Sequence, residues 1–224
     1  VCGAILCTIN ALLITKLKIP AIVATLATTQ IYAGALPLVV EGSIYDLPAS
    51  FTWLAFEAKI FTIVPLSVLM ALVILAISLY MMKYSRFFKS LYAIGNNAKG
   101  ARLAGINVDR TIILTYAIGG ALLGIAATII ATAGQRVTTT MGAGMEMTFI
   151  AAVVVGGTSV TGGSGNLLGT AFGALLLSII SPALYHLGVS DSWSTAVMGA
   201  IIIIAVTVSA MKGIRTHKTG AKEA

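Results

Sequence analysis

The sequence predicts an all-α fold, a polytopic bundle of about six or seven transmembrane helices. Hydrophobic residues fill 58% of the 224 positions and charged residues only 9%, whereas a soluble domain carries about 25% charged residues. A chain this poor in charge cannot cover a water-facing surface, so hydrocarbon is the solvent that suits it. The apolar runs extend nearly from end to end, and we therefore interpret residues 1–224 as one membrane domain.

Apolar segments can be marked along the whole chain. A helix that rises 1.5 Å per residue needs about 20 residues to cross the hydrocarbon core. The segments are 1–15, 20–40, 60–82, 111–133, 148–160, 166–187 and 194–211. Segment 148–160 is the doubtful span because its length corresponds to only about 20 Å of helix. It also fits a broken or re-entrant helix, which is tolerated against protein or a water-filled cavity.

The basic residues fall between the apolar segments and predict the orientation of the chain. Twelve of the 14 lie in three clusters, and short loops rich in Lys and Arg stay cytoplasmic. The clusters are Lys16 and Lys18; Lys83, Arg86, Lys89, Lys99, Arg102 and Arg110; and Lys212, Arg215, Lys218 and Lys222. The loop 83–110 and the tail 212–224 are then cytoplasmic. This distribution also argues against nucleic-acid binding as the reason for the net charge of +7.

The first residue and the outer loop complete the expected topology. Val1 lies inside an apolar run that no basic leader precedes, which is unlike a signal peptide, and we expect a fragment whose upstream part is missing. The predicted outer loop 41–59 contains four aromatic residues and favours a short amphipathic helix at the membrane surface.

The longest polar stretch, residues 83–110, is called the basic loop below. It predicts a short helix over 98–103, preceded by Asn96 or Asn97 as a cap and followed by Gly105 as a stop. The small residues of this stretch permit close packing by another protein. The residues alone favour a solvated basic loop beside anionic lipid.

A glycine-rich segment, residues 156–173, superficially resembles a phosphate loop. The lysine that would reach the β- and γ-phosphates is replaced by Gly163, which argues against nucleotide binding. Glycines spaced by four residues favour close helix packing instead. The positions with this spacing are Gly165, Gly169 and Gly173, and Gly120 and Gly124. A substrate-lining role for the turn of this segment remains a second interpretation.

Polar groups inside the apolar segments are few and mostly neutral. No ionisable residue is central, which weakens a proton-coupled or ion-channel interpretation. A path lined by hydroxyls and amides suits a neutral, hydroxylated solute. The candidate path residues are Asn10, Gln30, Thr158, Ser159 and Asn166. We find no catalytic motif and no metal-ligand cluster in the sequence.

Three stretches carry specific motifs: YAIGNNAKGARLAGINVDR (92–110), GAGMEMTFIAAVVVGGTSVTGGSGNLLGT (142–170) and LKIPAIVATLATTQIYAG (17–34). They resemble the permeases of bacterial ABC sugar importers of the ribose, arabinose, xylose and galactose type. The similarity runs from about residue 10 to 211. Members of the family carry an upstream Gly-Ile-Asp-Leu-Ser-Val-Gly type motif that is absent here, which again indicates a fragment.

The resemblance implies a function and a set of partners. Two permeases pair, a tandem ABC ATPase docks on the cytoplasmic face, and an extracytoplasmic binding protein delivers the sugar. ATP and Mg²⁺ are then held by the ATPase, and this chain, a multi-pass protein of the bacterial cytoplasmic membrane, binds no cofactor and is no enzyme. The basic loop becomes the coupling loop, whose contact residues are Asn97, Ala98, Lys99, Gly100, Ala101, Arg102, Leu103, Ala104 and Gly105.

Other functions remain open at this stage. Permeases for branched-chain amino acids share the style of the coupling loop, and a permease for a sugar-derived quorum signal fits residues 17–26 as well. An ion channel or proton-coupled carrier is disfavoured by the lack of central charges, and a membrane enzyme by the lack of a catalytic constellation.

Overall fold

The computed structural model describes residues 1–40, 44–45, 59–60, 64–134, 136–159 and 162–188, together with isolated positions between 193 and 207. In this part of the chain the structure is mainly helical. The helices are α1 (Cys2–Lys16), α2 (Ala21–Val39), α3 (Leu66–Tyr84), α4 (Arg86–Asn96), α5 (Ala98–Leu103), α6 (Val108–Gly134), α7 (Met145–Val155) and α8 (Leu167–His186).

Four helices of the described residues are long and apolar enough to cross a membrane. They are α2, α3, α6 and, within α8, Leu167–Leu184. Two shorter apolar helices, α1 and α7, accompany them. The predicted helical transmembrane fold is therefore confirmed. The last predicted segment, 194–211, and most of the outer loop 41–59 lie outside the described residues.

The ends of the helices differ most from the expected ends at two places, and backbone chemistry explains both. Helix α3 begins after Pro65 rather than at residue 60, because proline suits a position just before the first helical turn. Helix α7 ends at Val155 rather than at 160, because Gly156 and Gly157 follow it directly. Its 11 residues correspond to about 16 Å of helix, so α7 by itself is too short to cross the hydrocarbon core.

Two pairs of very short strands lie beside the helices. Strand β1 (Ile44–Tyr45) pairs antiparallel with β4 (Arg136–Val137), and β2 (Lys59–Ile60) pairs with β3 (Val64–Pro65). The first pairing joins the loop that follows α2 to the end of α6. These two chain positions therefore lie on one side of the bundle.

The chain forms two compact units. The first contains Val1–Ser90 and Lys99–Met141, and the second contains Leu91–Ala98 and Gly142–Ala224. Eight residues of the basic loop therefore belong to the second unit, and the residues on either side of them belong to the first. In the first unit α1 packs against α6 and α2. In the second, α7 packs against α8 around Ala151, Ala152 and Leu177. The single domain read from the sequence remains a prediction.

Candidate functional site

The basic loop is ordered by two helices, α4 and α5. Helix α5 occupies Ala98–Leu103, as the sequence predicts, and ends because the backbone turns left-handed at Gly105, whose φ is +81°. Glycine adopts this conformation without steric cost. The peptide N–H of Gly105 donates to the carbonyl of Arg102 (3.0 Å), and that of Ile106 donates to the carbonyl of Ala101 (3.0 Å). The short helix is therefore closed by backbone bonds at its C-terminal end.

Helix α5 has one buried side and one exposed side. Ala101 is buried, whereas the side chain of Leu103 is 92% exposed. Arg102 forms an ion pair with Asp109 at the start of α6, with 2.7 Å between the nitrogen and the oxygen. An exposed pair of this kind stabilises by about 0–1 kcal/mol, so its main effect is on the direction of the Arg102 side chain. The remaining predicted contact residues are exposed except for Gly100, which is half-buried.

The segment that precedes α5 contacts the turn between α7 and α8. We call residues 156–159 and 162–165 the glycine turn. The hydroxyl of Tyr92 donates to the carbonyl oxygen of Gly165 at 3.3 Å. A Cβ built on Gly95 would lie 3.0 Å from the Cα of Gly163, and one built on Gly163 would lie 2.7 Å from the Cγ of Asn96. We call this the loop–turn contact. It joins backbone to backbone, and the sequence analysis did not anticipate it.

The glycines of α8 face α7. A Cβ on Gly169 would collide with the carbonyl oxygen of Gly156, and one on Gly173 would collide with that of Ala152. Gly165 lies at the end of the glycine turn, where a Cβ would be 3.0 Å from the Cγ2 of Thr158. These three positions therefore surround the crossing of α7 and α8 in the second unit.

In the first unit, close packing involves Gly3, a residue that the sequence analysis did not single out. Gly3 in α1 and Gly120 in α6 face each other, and a Cβ on either would collide with the carbonyl oxygen of the other. A Cβ on Gly120 would also lie 2.7 Å from the Cβ of Cys7. Gly124 lies beside Gly3, but a Cβ built on Gly124 itself would have no neighbour within 4 Å among the described residues.

The structure distributes the candidate path residues over both units. Thr158, Ser159 and Asn166 lie together in or beside the glycine turn, and the hydroxyls of Thr158 and Thr170 are hydrogen bonded at 3.0 Å. Asn10 in α1 has a buried amide oxygen without a hydrogen-bond partner among the described residues, and Gln30 in α2 is exposed. Over the same described residues, no group of three or more His, Cys, Asp or Glu is arranged to hold a metal ion.

Asn166 caps helix α8. Its side-chain oxygen accepts hydrogen bonds from the backbone N–H groups of Leu168 (3.0 Å) and Gly169 (3.3 Å). Loss of an Asn cap destabilises a helix by about 1 kcal/mol, whereas aspartate is an equally good cap.

We therefore expect Asn166→Ala to lower the thermal unfolding midpoint of the purified permease, while Asn166→Asp leaves it nearly unchanged. Unfolding monitored by Trp fluorescence in detergent tests this. A midpoint that Asn166→Ala does not lower would contradict the capping role. A change in substrate KM for Asn166→Asp, at unchanged stability, would instead indicate a path-lining role.

Within the described residues, apolar helices of spanning length lie on both sides of one ordered polar loop, which is the pattern of a polytopic membrane protein. Comparison with known sequences identifies the family: residues 1–206 match the permease component of the branched-chain amino acid transport system. The chain belongs to this family.

Two curated relatives are representative. The autoinducer 2 import system permease protein LsrC of Yersinia enterocolitica serotype O:8 / biotype 1B is 36% identical over 195 residues, which cover 87% of this chain and 54% of the relative. The ribose import permease protein RbsC of Bacillus subtilis strain 168 is 34% identical over 204 residues, which cover 91% of this chain and 63% of the relative. The chain thus spans between about half and two thirds of the length of these relatives. No solved structure matches it significantly.

Proposed function

We propose that the chain is part of the membrane permease of an ABC importer for a monosaccharide of the ribose type. Family membership and the two import permeases among its relatives support this proposal. The structural observation that carries it is the exposure of Leu103, whose side chain projects from the short helix α5 among polar residues. Single exposed apolar side chains are common on protein surfaces, so this leucine supports a protein contact through its combination with an ordered helix in a polar loop and with family membership.

The proposed partner at this loop is a tandem ABC ATPase, which holds ATP and Mg²⁺. Leu103 enters a groove of the ATPase, and Lys99 and Arg102 lie at the rim of the contact. The other residues from Asn97 to Gly105 allow close approach. When ATP closes the ATPase, the basic loop moves with it and shifts the flanking helices α3 and α6. The cavity between this permease and a second copy or a paralogue then changes the side on which it is open.

Two contacts support the proposed orientation in the cytoplasmic membrane. The β1–β4 pair joins two chain positions that the charge pattern assigns to the outside. The loop–turn contact joins the glycine turn to the basic loop, which the same pattern assigns to the cytoplasm. Helix α8 then leads outward and the last apolar segment returns, so the basic tail 212–224 is cytoplasmic. The membrane lipids around such a protein contact the apolar faces of the spanning helices.

The solute is proposed to be neutral and hydroxylated, and an extracytoplasmic binding protein selects it. Asn10, Gln30, Thr158, Ser159 and Asn166 remain the candidates for the path, and the glycines at 120, 124, 165, 169 and 173 for helix packing. The relative from Yersinia favours autoinducer 2 as the second candidate substrate. The family description keeps branched-chain amino acids as a third.

Reconstitution of the complete transporter tests the proposal. The full-length permease is placed in liposomes with its ATPase, and ATP hydrolysis is measured with D-ribose, autoinducer 2 or L-leucine, each added with its binding protein. We expect D-ribose to stimulate hydrolysis and to accumulate in vesicles. Stimulation by autoinducer 2 or L-leucine alone would reassign the substrate. Solute flux independent of ATP would contradict the importer mechanism.

A further inference from the structure

We propose that the loop–turn contact is the positioning element that carries the movement of the docking helix α5 to the α7–α8 pair. The inference rests on the proposed importer function and deepens it. The flanking helices α3 and α6 are joined to the basic loop by the chain itself. The α7–α8 pair has no such connection, and the contact of Tyr92, Gly95 and Asn96 with the glycine turn supplies one.

The place of the contact in the chain favours this role. Helix α4 ends at Asn96, and a single residue, Asn97, separates it from the first residue of α5. Residues Leu91–Ala98 belong to the same compact unit as α7 and α8, whereas the chain on either side of them belongs to the other unit. A displacement of α5 therefore acts directly on the residues that hold the glycine turn.

The loop–turn contact is rigid enough for a displacement of the basic loop to move the glycine turn. Gly95 meets Gly162 and Gly163 backbone to backbone, without a side chain that can rotate away. A Cβ built on Gly95 or on Gly162 would point at the opposite backbone. The one on Gly162 would lie 3.3 Å from the Cα of Gly95. Closely packed elements shift between discrete arrangements instead of deforming continuously. The hydroxyl of Tyr92 fixes the register of the two backbones by its bond to Gly165.

The other end of the glycine turn is also held by close contacts. Gly156 lies against Gly169 and Thr170 of α8, so the turn cannot move without α7 and α8. The hydroxyl pair of Thr158 and Thr170 closes the same region at 3.0 Å. The turn thus connects the basic loop to both helices of the pair.

Two glycines of the turn provide a matched pair of variants. Gly163 and Gly157 share a positive φ, of +80° and +84°, that alanine rarely adopts, so alanine imposes local strain at both. A Cβ on Gly163 would collide with the side chain of Asn96, whereas one on Gly157 has no neighbour within 4 Å among the described residues. Only Gly163→Ala therefore disturbs the loop–turn contact.

The experiment uses the complete transporter in liposomes with ATP and with D-ribose, autoinducer 2 or L-leucine, each added with its binding protein. Basal and substrate-stimulated ATP hydrolysis are measured for wild type, Gly163→Ala and Gly157→Ala. Leu168→Cys, placed at the start of α8 where the native side chain is 47% exposed, reports ATP-dependent movement by its rate of maleimide labelling in a background in which the free cysteines Cys2 and Cys7 are replaced by serine. We expect Gly163→Ala to reduce stimulated hydrolysis by about fivefold or more and to abolish the ATP-dependent change in labelling. Basal hydrolysis and co-purification of the ATPase should be retained in Gly163→Ala and in Gly157→Ala.

A second variant separates this role from a folding defect. Asn96→Ala removes the Cγ and the oxygen of Asn96 that a Cβ at Gly163 would meet, and leaves the Cα of Asn96 at 3.2 Å from that Cβ, so the double variant Gly163→Ala, Asn96→Ala should regain part of the stimulation and of the labelling change. Equal behaviour of Gly163→Ala and Gly157→Ala, with wild type stimulated, would overturn this inference alone. Absence of stimulation in wild type by D-ribose, autoinducer 2 and L-leucine alike would overturn the proposed function, and the inference with it.

Discussion

Replacement of Leu103 by aspartate is expected to abolish substrate-stimulated ATP hydrolysis while the permease remains folded. The side chain is 92% exposed at the end of α5, so the variant loses almost no contact within the chain. In a docked complex the same side chain is desolvated, and a carboxylate there stays buried without a partner. Changes at such anchors cost about 2 kcal/mol or more, which is about thirtyfold in affinity for the ATPase.

The matched control at this position is Leu103→Met, which keeps an apolar side chain of similar volume. It should retain co-purification of the ATPase and most of the stimulated hydrolysis. Size-exclusion profiles and thermal unfolding of the permease alone should be the same for wild type and both variants. Normal binding and stimulation in Leu103→Asp would show that α5 is not the docking element, and the mechanism proposed for the basic loop would then be wrong.

The helical fold and the short docking helix could be predicted because their signals are local. Apolar runs of spanning length predicted α2, α3, α6 and α8, and a cap at Asn96 or Asn97 with a stop at Gly105 predicted α5. Such patterns depend on neighbours three or four residues apart. The end of helix α7 was expected at 160, five residues beyond Val155, because the residues at 153–157 are all valine or glycine, which are apolar or small. A hydropathy pattern does not distinguish a continuing helix from one that ends at a glycine pair.

The contacts of the candidate site could not be predicted in the same way. The bond from Tyr92 to Gly165 joins residues 73 positions apart, and Gly95 meets Gly163 over a similar separation. Glycine in a sequence signals either a special backbone conformation or a close approach, without naming the partner. Asn166 illustrates a different difficulty. Its amide fits a polar path as well as a helix cap. The hydrogen bonds that it accepts from the N–H groups of Leu168 and Gly169 identify it as a cap.

The glycines of α6 should differ sharply in their tolerance of alanine, although two of them are adjacent. Glycine within a helix is about 1 kcal/mol less favourable than alanine, so alanine is stabilising wherever there is room. Gly119 has that room, since a Cβ there has no neighbour within 4 Å among the described residues. At Gly120 the same atom would collide with the carbonyl oxygen of Gly3 and approach the Cβ of Cys7 to 2.7 Å.

The expected effects of the two variants therefore have opposite signs. Relief of the collision at Gly120→Ala requires α1 and α6 to separate, because the opposing atoms belong to backbone and to a Cβ that cannot rotate away. Overpacking of this kind costs about 1–3 kcal/mol, which exceeds the gain in helix propensity. We expect Gly120→Ala to lower the thermal unfolding midpoint of the purified full-length permease and Gly119→Ala to leave it unchanged or raise it. A Gly120→Ala protein as stable as wild type would mean that α1 and α6 are not held together at Gly3, and the packing of the first unit would then have to depend on other contacts.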